Sequence, residues 1–279
     1  MKLAVFTVML PEWTPEEAAA ELRHAGYDGV EWRVTHDVPP AGQAQTFWKG
    51  NRCTLAPTLE NAERAKRLAQ ENGLTIPNIG TYISLGELEA VEGAITFTKA
   101  AGAPMFRVGL GQWQGGYREH ERAAKAFLRE VVARTKEAGL KALVELHHGT
   151  IVPSSAHALR LLEEFDPEHI GVIHDAGNMI REGKEDFLLS AELLGPYLAH
   201  VHLKNAAYDR PEAGGVWSAR WAPLEDGAVD FTQLFKVLAQ IGYRGWVSTE
   251  DFSGVRQGRE MLEHNIAFIR EKMAEAGVA

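Results

Sequence analysis

Eight short apolar runs alternate with longer amphipathic segments, and this alternation restricts the possible fold more than any other feature of the chain. The runs are KLAVFTV (2–8), YDGVEWR (27–33), LTIPNIG (74–80), APMFRVG (103–109), LKALVEL (140–146), HIGVIHD (169–175), LAHVHLK (198–204) and GWVSTED (245–251). Each has the length and the Val, Ile or Leu content of a buried strand. Between them lie helical patterns. TPEEAAAELRHAG opens with Thr14 as a cap and Pro15 in the first turn, then stops at Gly26. PTLENAERAKRLAQENG and YREHERAAKAFLREVVARTKEAG also end at glycines suited to the left-handed position after a helix. VDFTQLFKVLAQIG and RQGREMLEHNIAFIREKMAEAG repeat the scheme, and further helices are readable after the third, fifth and sixth strands.

Strand–helix units recurring at roughly 30 residues predict parallel strands. Eight of them predict an α/β fold, a single (β/α)8 TIM barrel over residues 1–279. An open dinucleotide-binding sheet is disfavoured, because no G-x-G-x-x-G follows the first strand and no Walker-type phosphate loop occurs. The connections after strand two (33–56) and strand seven (205–228) are long. In barrels such loops build the face that carries the active site, so both are expected as rim or lid elements.

Composition narrows the function classes. The 279 residues carry a formal net charge of −9, which repels phosphate backbones and argues against nucleic acid as the main partner. The lone cysteine, Cys53, excludes an internal disulfide or a multi-cysteine metal site and reads as an incidental thiol. No apolar run approaches the ~18 residues of a membrane span, and the N-terminal run stops at Pro11-Glu12, so the expectation is a cytoplasmic protein with no membrane partner.

The polar residues at the strand ends carry the chemistry. Glu31, Arg107, Glu145, Asp175, His202 and Glu250 fall at or just after the ends of strands two, four, five, six, seven and eight. In LAHVHLKN, alternate side chains share a face, so His200, His202 and Lys204 point one way and Val201 and Leu203 the other. Four consecutive strands would bring Glu145, Asp175, His202 and Glu250 together at the barrel mouth. Three converging carboxylates repel one another unless a cation compensates them. Carboxylate oxygens with one imidazole suit one divalent ion, with Mn²⁺ first and Mg²⁺, Co²⁺ or Zn²⁺ as alternatives. A salt-bridge network with Arg107 and Lys204 is the structural alternative.

The same residues give a family resemblance over essentially the whole chain. AGYDGVEWR, ALVELHHG, GVIHDAGN, HVHLKN and WVSTEDF, in this order and spacing, resemble the sugar isomerase/epimerase superfamily of xylose isomerase-like barrels. Within it the likeness is to the D-tagatose 3-epimerase and hydroxypyruvate isomerase branch. The resemblance implies that Glu145, Asp175, His202 and Glu250 bind the metal and that Glu145 and Glu250 double as the acid–base pair. Two positions depart from the epimerase pattern. A substrate-binding His three residues after the Asp is here Asn178, and an Arg six residues after the metal His is here Tyr208. Barrel-type abasic-site endonucleases require further metal histidines, including one at the place of Asn178.

Such a site would break a C–H bond next to a carbonyl, stabilising the resulting charge with the metal. The expected function is a metal-dependent isomerase or epimerase of a keto-sugar or polyol-derived substrate. The rival is a lyase or dehydratase on a keto-sugar or inosose, and a non-catalytic sugar-binding barrel is the third reading. Lys204, Arg107, His147, Asn178, Trp113 and Glu31 are expected as substrate contacts, with ion pairing as the alternative for the charged ones. His200, one layer deeper, is expected as a hydrogen-bonded core residue. Tryptophans 13, 32, 48, 113, 217 and 221 fall at or after strand C-terminal ends, and only Trp246 opens a strand. Aromatic rings there would stack on sugars, or would pack loops or a second subunit in a homodimer. Trp113, Trp217 and Trp221 are the pocket candidates.

Overall fold

In the computed structural model, which describes residues 1–38, 45–210 and 214–278, the expected strands are β1 (Lys2–Phe6), β2 (Gly29–Val34), β3 (Ile79–Thr81), β4 (Met105–Val108), β5 (Lys141–Glu145), β6 (Ile170–Asp175), β7 (Leu198–Leu203) and β8 (Trp246–Thr249). All pair in parallel with their chain neighbours, and β8 pairs with β1 through Lys2 opposite Trp246, so the sheet closes into a barrel. The expected single (β/α)8 barrel is therefore the fold.

Local chemistry sets the element ends. The first helix, Pro15–Ala25, is held by a reciprocal box in which the Thr14 hydroxyl accepts from the Glu17 N–H and the Glu17 carboxylate from the Thr14 N–H, and it ends at Gly26 with φ 88°. β1 is shorter than expected because Thr7–Met9 form a 3₁₀ turn. β3 begins at Ile79 instead of residue 74; Pro77 has no N–H for a ladder, and only Thr75 touches β2, at Gly29.

Period-two alternation divides each strand between two environments. Val30, Trp32, Phe106, Val144, Val172, Val201 and Val247 join the apolar core that also takes in the helices. Fully burying one such side chain stabilises by roughly 1.5–3 kcal/mol. Leu143 and Ile173, equally buried, share a strand face with Glu145 and Asp175. Gly80 has a packing duty here, since a Cβ on it would sit 2.2 Å from the Phe6 ring.

The long connections also take shape. The one after β2 adds a two-residue strand, Thr54–Leu55, against Arg33 and Val34. The one after β7 forms an antiparallel hairpin of Asn205–Asp209 and Ser218–Ala222. Asn205, buried, ties it down: its Nδ2 donates to Leu224 O at 2.8 Å, and its Oδ1 accepts from the N–H groups of Ala206 and Val229 at 2.9 Å. Among the described residues no helix is long and apolar enough to cross a membrane.

Candidate active site

The C-terminal ends of β5 to β8 bring together the four residues expected as metal ligands. Ligand atoms of Glu145, Asp175, His202 and Glu250, all buried, lie within 4.8 Å of one another. His202 Nδ1 stands 3.5 Å from Glu145 Oε1, 3.5 Å from Glu250 Oε1 and 3.8 Å from Asp175 Oδ2. Asp175 serves twice, because its Oδ1 also caps the helix Ala176–Glu182 by accepting from the Asn178 N–H at 2.7 Å.

These atoms fit a divalent ion. Oxygen and nitrogen ligands about 2.1 Å from an ion stand roughly 3–3.5 Å apart, near the separations found. His202 Nδ1 is buried without a hydrogen-bond partner, which is costly unless something else uses its lone pair. The electrostatics agree. Burial favours a neutral imidazole, yet the Glu31 and Glu250 carboxylates outweigh it and hold the His202 proton affinity well above the ordinary value. That direction marks a strongly negative surrounding, which a bound cation would offset.

Two cations brace the carboxylates. Lys204 Nζ lies 2.6 Å from both Asp175 Oδ2 and Glu250 Oε2, and 5.0 Å and 5.3 Å from the ring centres of Trp221 and Phe252. Burial favours the neutral amine, but Asp175 and Glu250 keep Lys204 charged. Arg107 Nη1 donates to Glu145 Oε2 at 2.6 Å while its guanidinium lies 4.6 Å from the Tyr82 ring. The ion pairs expected of a structural network are thus present, and they leave the His202 lone pair unused.

The two glutamates differ. Burial raises the proton affinity of Glu145, but Arg107 and His202 overturn it and hold the carboxyl well below its usual range. At Glu250 burial dominates, and Glu145 and Asp175 add to it against Lys204 and His202, so its proton affinity is raised.

Above the cluster opens a cavity of about 340 Å³ lined by Glu145, Glu250, Lys204, Arg107 and His147, with Phe6, Trp48, Tyr82 and Phe252 as aromatic walls. Of the expected substrate contacts, Lys204, Arg107 and His147 line it. Three others stand outside its lining. Asn178 is buried beside the cluster, with its Nδ2 donating to Glu145 Oε1 (3.1 Å) and Leu146 O (3.2 Å). Trp113, whose peptide N–H donates to Gly149 O at 2.9 Å, is 49% exposed and lies outside the cavity lining. Glu31 is fully buried beneath His202, because β2 runs on to Val34 and places Arg33 one layer higher on the same face.

Among the other tryptophans, Trp32 faces the helices, Trp217 is exposed, and Trp221 packs on Phe252 and His148 at 6.0 and 5.6 Å between ring centres. The His147 and His148 rings stack at 4.4 Å; burial, His147 and Arg181 push His148 down to about 4. His200 is buried and hydrogen-bonded as expected, to Glu31 Oε2 and Ser248 Oγ. Sequence reasoning missed Phe6, Tyr82 and Phe252 as walls. Ser248 was accessible to it, since it shares strand parity with Glu250.

This fold and site define a class: the chain belongs to the xylose isomerase-like TIM barrel family, whose model matches residues 19–272. Among individual proteins it is similar to an inosose dehydratase of Lacticaseibacillus casei, 26% identical over 141 residues. That match covers 47% of this chain and 47% of the relative, so the chain spans about half the length of the curated relatives it matches. Solved structures share the fold, among them these three. The probable 3-DHS dehydratase involved in petrobactin synthesis from Bacillus anthracis superposes with a TM-score of 0.75 at 18% identity, covering 97% of this chain and 99% of that one. An L-ribulose 3-epimerase gives 0.73 at 18% identity, with 99% and 95% covered. The IOLI protein with a bound zinc atom gives 0.72 at 15% identity, with 99% and 98% covered.

Proposed function

We propose that this chain is a divalent-metal-dependent enzyme that moves a proton at the carbon beside the carbonyl of a small polyhydroxylated ketone, as a sugar isomerase or epimerase. The observation that carries the reading is the pairing of Glu145 and Glu250 in one cavity. They arrive from β5 and from the end of β8, on either side of β6 and β7, and each stands 3.5 Å from His202 Nδ1.

Glu145, Asp175, His202 and Glu250 would hold the cation, and an oxygen-rich donor set with one imidazole makes manganese the first choice. When bound, the cation supplies Lewis-acid stabilisation of the negative charge that develops on the carbonyl oxygen. Glu145, kept ionised beside Arg107, is the group ready to accept the carbon-bound proton. Glu250, entering the cavity from the far side of β6 and β7, is the group that returns one. Delivered to the opposite face of the same carbon, that proton epimerises the substrate; delivered to the adjacent carbon, it isomerises it. Phe6, Tyr82 and Phe252 exclude water from the reacting end and offer apolar faces to the C–H side of a sugar.

Dehydration is the second reading, favoured by the similarity to inosose dehydratases. Glu145 would remove the same proton, and Glu250 would pass its proton to a departing β-hydroxyl group. Proton exchange in deuterated water, followed by NMR across ketoses and inososes, separates the readings. Exchange with the substrate otherwise intact supports the first. Loss of water with an ultraviolet-absorbing enone supports the second. Binding that needs metal but gives neither exchange nor product would leave a non-catalytic sugar-binding barrel.

A further inference from the structure

We propose that Glu31 is a positioning residue whose carboxylate fixes the orientation and tautomer of His202, and so sets the affinity of the carboxylate–histidine cluster for a divalent cation. The proposal rests on reading that cluster as a cation site.

Glu31 lies fully buried one layer below the cluster and forms no part of the cavity lining. Its Oε2 faces Nε2 of His202 at 3.2 Å and Nε2 of His200 at 3.0 Å, and its Oε1 accepts from Asn78 Nδ2 at 2.8 Å. A carboxylate accepts hydrogen bonds and donates none, so both ring nitrogens facing Oε2 carry their hydrogens. For His202 this leaves Nδ1 as the atom turned to Glu145 and Glu250, and Nδ1 is the buried nitrogen without a partner. A His202 ring released from Oε2 is free to keep its single proton on Nδ1, where no lone pair remains for a cation.

Alternate residues of β7 project to one face, so His200 meets the same oxygen. His200 also contacts Ser248 Oγ at 2.9 Å and stays a layer away from the cluster. It helps hold the Glu31 carboxylate in place, and only His202 passes the effect upward. The three groups Glu31, His200 and His202 lie close enough to suggest a second metal site. Their Nε2 atoms are already committed to Glu31 Oε2, which makes this a hydrogen-bonded base for the upper cluster.

Ligating histidines that lose such a carboxylate partner lose about 10- to 100-fold in metal affinity. Glu31→Gln keeps the shape of the side chain, but its amide must set an N–H against either Asn78 or the imidazoles. Calorimetric titration of metal-free protein with Mn²⁺ is expected to show that weakening in Glu31→Gln. Partial recovery is expected in Glu31→Asp, and unchanged affinity in Ser248→Ala, which touches His200 alone. In metal-free protein with ¹⁵N-labelled histidine, the wild type should show exchange-protected, downfield Nε2–H protons for both rings, lost in Glu31→Gln. If Glu31→Gln binds Mn²⁺ as tightly as the wild type, or Ser248→Ala weakens binding equally, the proposal fails while the cation reading stands. A wild type that takes up no divalent cation overturns the cation reading and the proposal with it.

Discussion

At the scale of single residues, Glu145 and Glu250 bring the same functional group to one cavity under opposite electrostatic conditions. Arg107 lies against the first, and burial with two neighbouring carboxylates dominates the second. Replacing either by Gln removes a proton carrier and a ligand oxygen. Exchange of the substrate's carbon-bound proton with solvent should then fall by at least about 100-fold. Near-normal exchange in either variant, measured by NMR with Mn²⁺ present, would refute the acid–base assignment. Arg107→Met tests the electrostatics separately. Losing the guanidinium raises the Glu145 proton affinity, so a base that must be ionised becomes protonated at higher pH. The acidic limb of kcat/KM should therefore move to higher pH, and an unmoved limb would show that Arg107 does not govern Glu145.

Among the elements, the hairpin after β7 is the part of the rim most open to test. Asn205 holds it through three hydrogen bonds, and Asn205→Ala leaves the Leu224 carbonyl and the Ala206 and Val229 N–H groups without that partner. Each buried group left unsatisfied costs about 1–3 kcal/mol. The expected outcomes are a lower unfolding midpoint and faster proteolysis between residues 205 and 229; wild-type protease resistance would contradict them. Trp221 on the second hairpin strand supports Phe252 and Lys204. Trp221→Ala should raise KM more than it lowers kcat, because the ring braces the cavity wall without entering the lining. The reading of residues 205–228 as a rim element anticipated the length of this connection. Its strand pairing was not legible, because neither NAAYD (205–209) nor SARWA (218–222) has the β-branched apolar content of a strand.

For the whole molecule, the cation reading predicts coupling between metal and stability. A ligand that binds only the folded chain at 100 times its dissociation constant adds about 2.7 kcal/mol. For chains of this size each kcal/mol shifts the midpoint by roughly 2–4 °C, so Mn²⁺ should raise it by about 5–10 °C over chelated protein. Identical melting curves with and without Mn²⁺ would speak against a folded-state cation site.

The order of the eight strands was readable because each apolar run is short, bounded and separated from the next by a helical pattern, and parallel closure then turns chain order into ring order. That placed Glu145, Asp175, His202 and Glu250 side by side from sequence alone, since strand parity fixes which side chains share a face. Parity does not give depth. Glu31 and His202 both point inward, yet the length of β2 and its register with β1 and β3 set Glu31 below the histidine. Nor does sequence give the rotation of a ring or the partner of a charge. Trp113 stands exposed outside the cavity lining, and Asn178 reaches Glu145 from a helix capped by Asp175. The sequence determined which chemical groups gather at the barrel mouth, because covalent order and side-chain alternation are local. Only the tertiary structure decided which line the cavity and which stand behind them, because depth and direction depend on packing between strands distant in the chain.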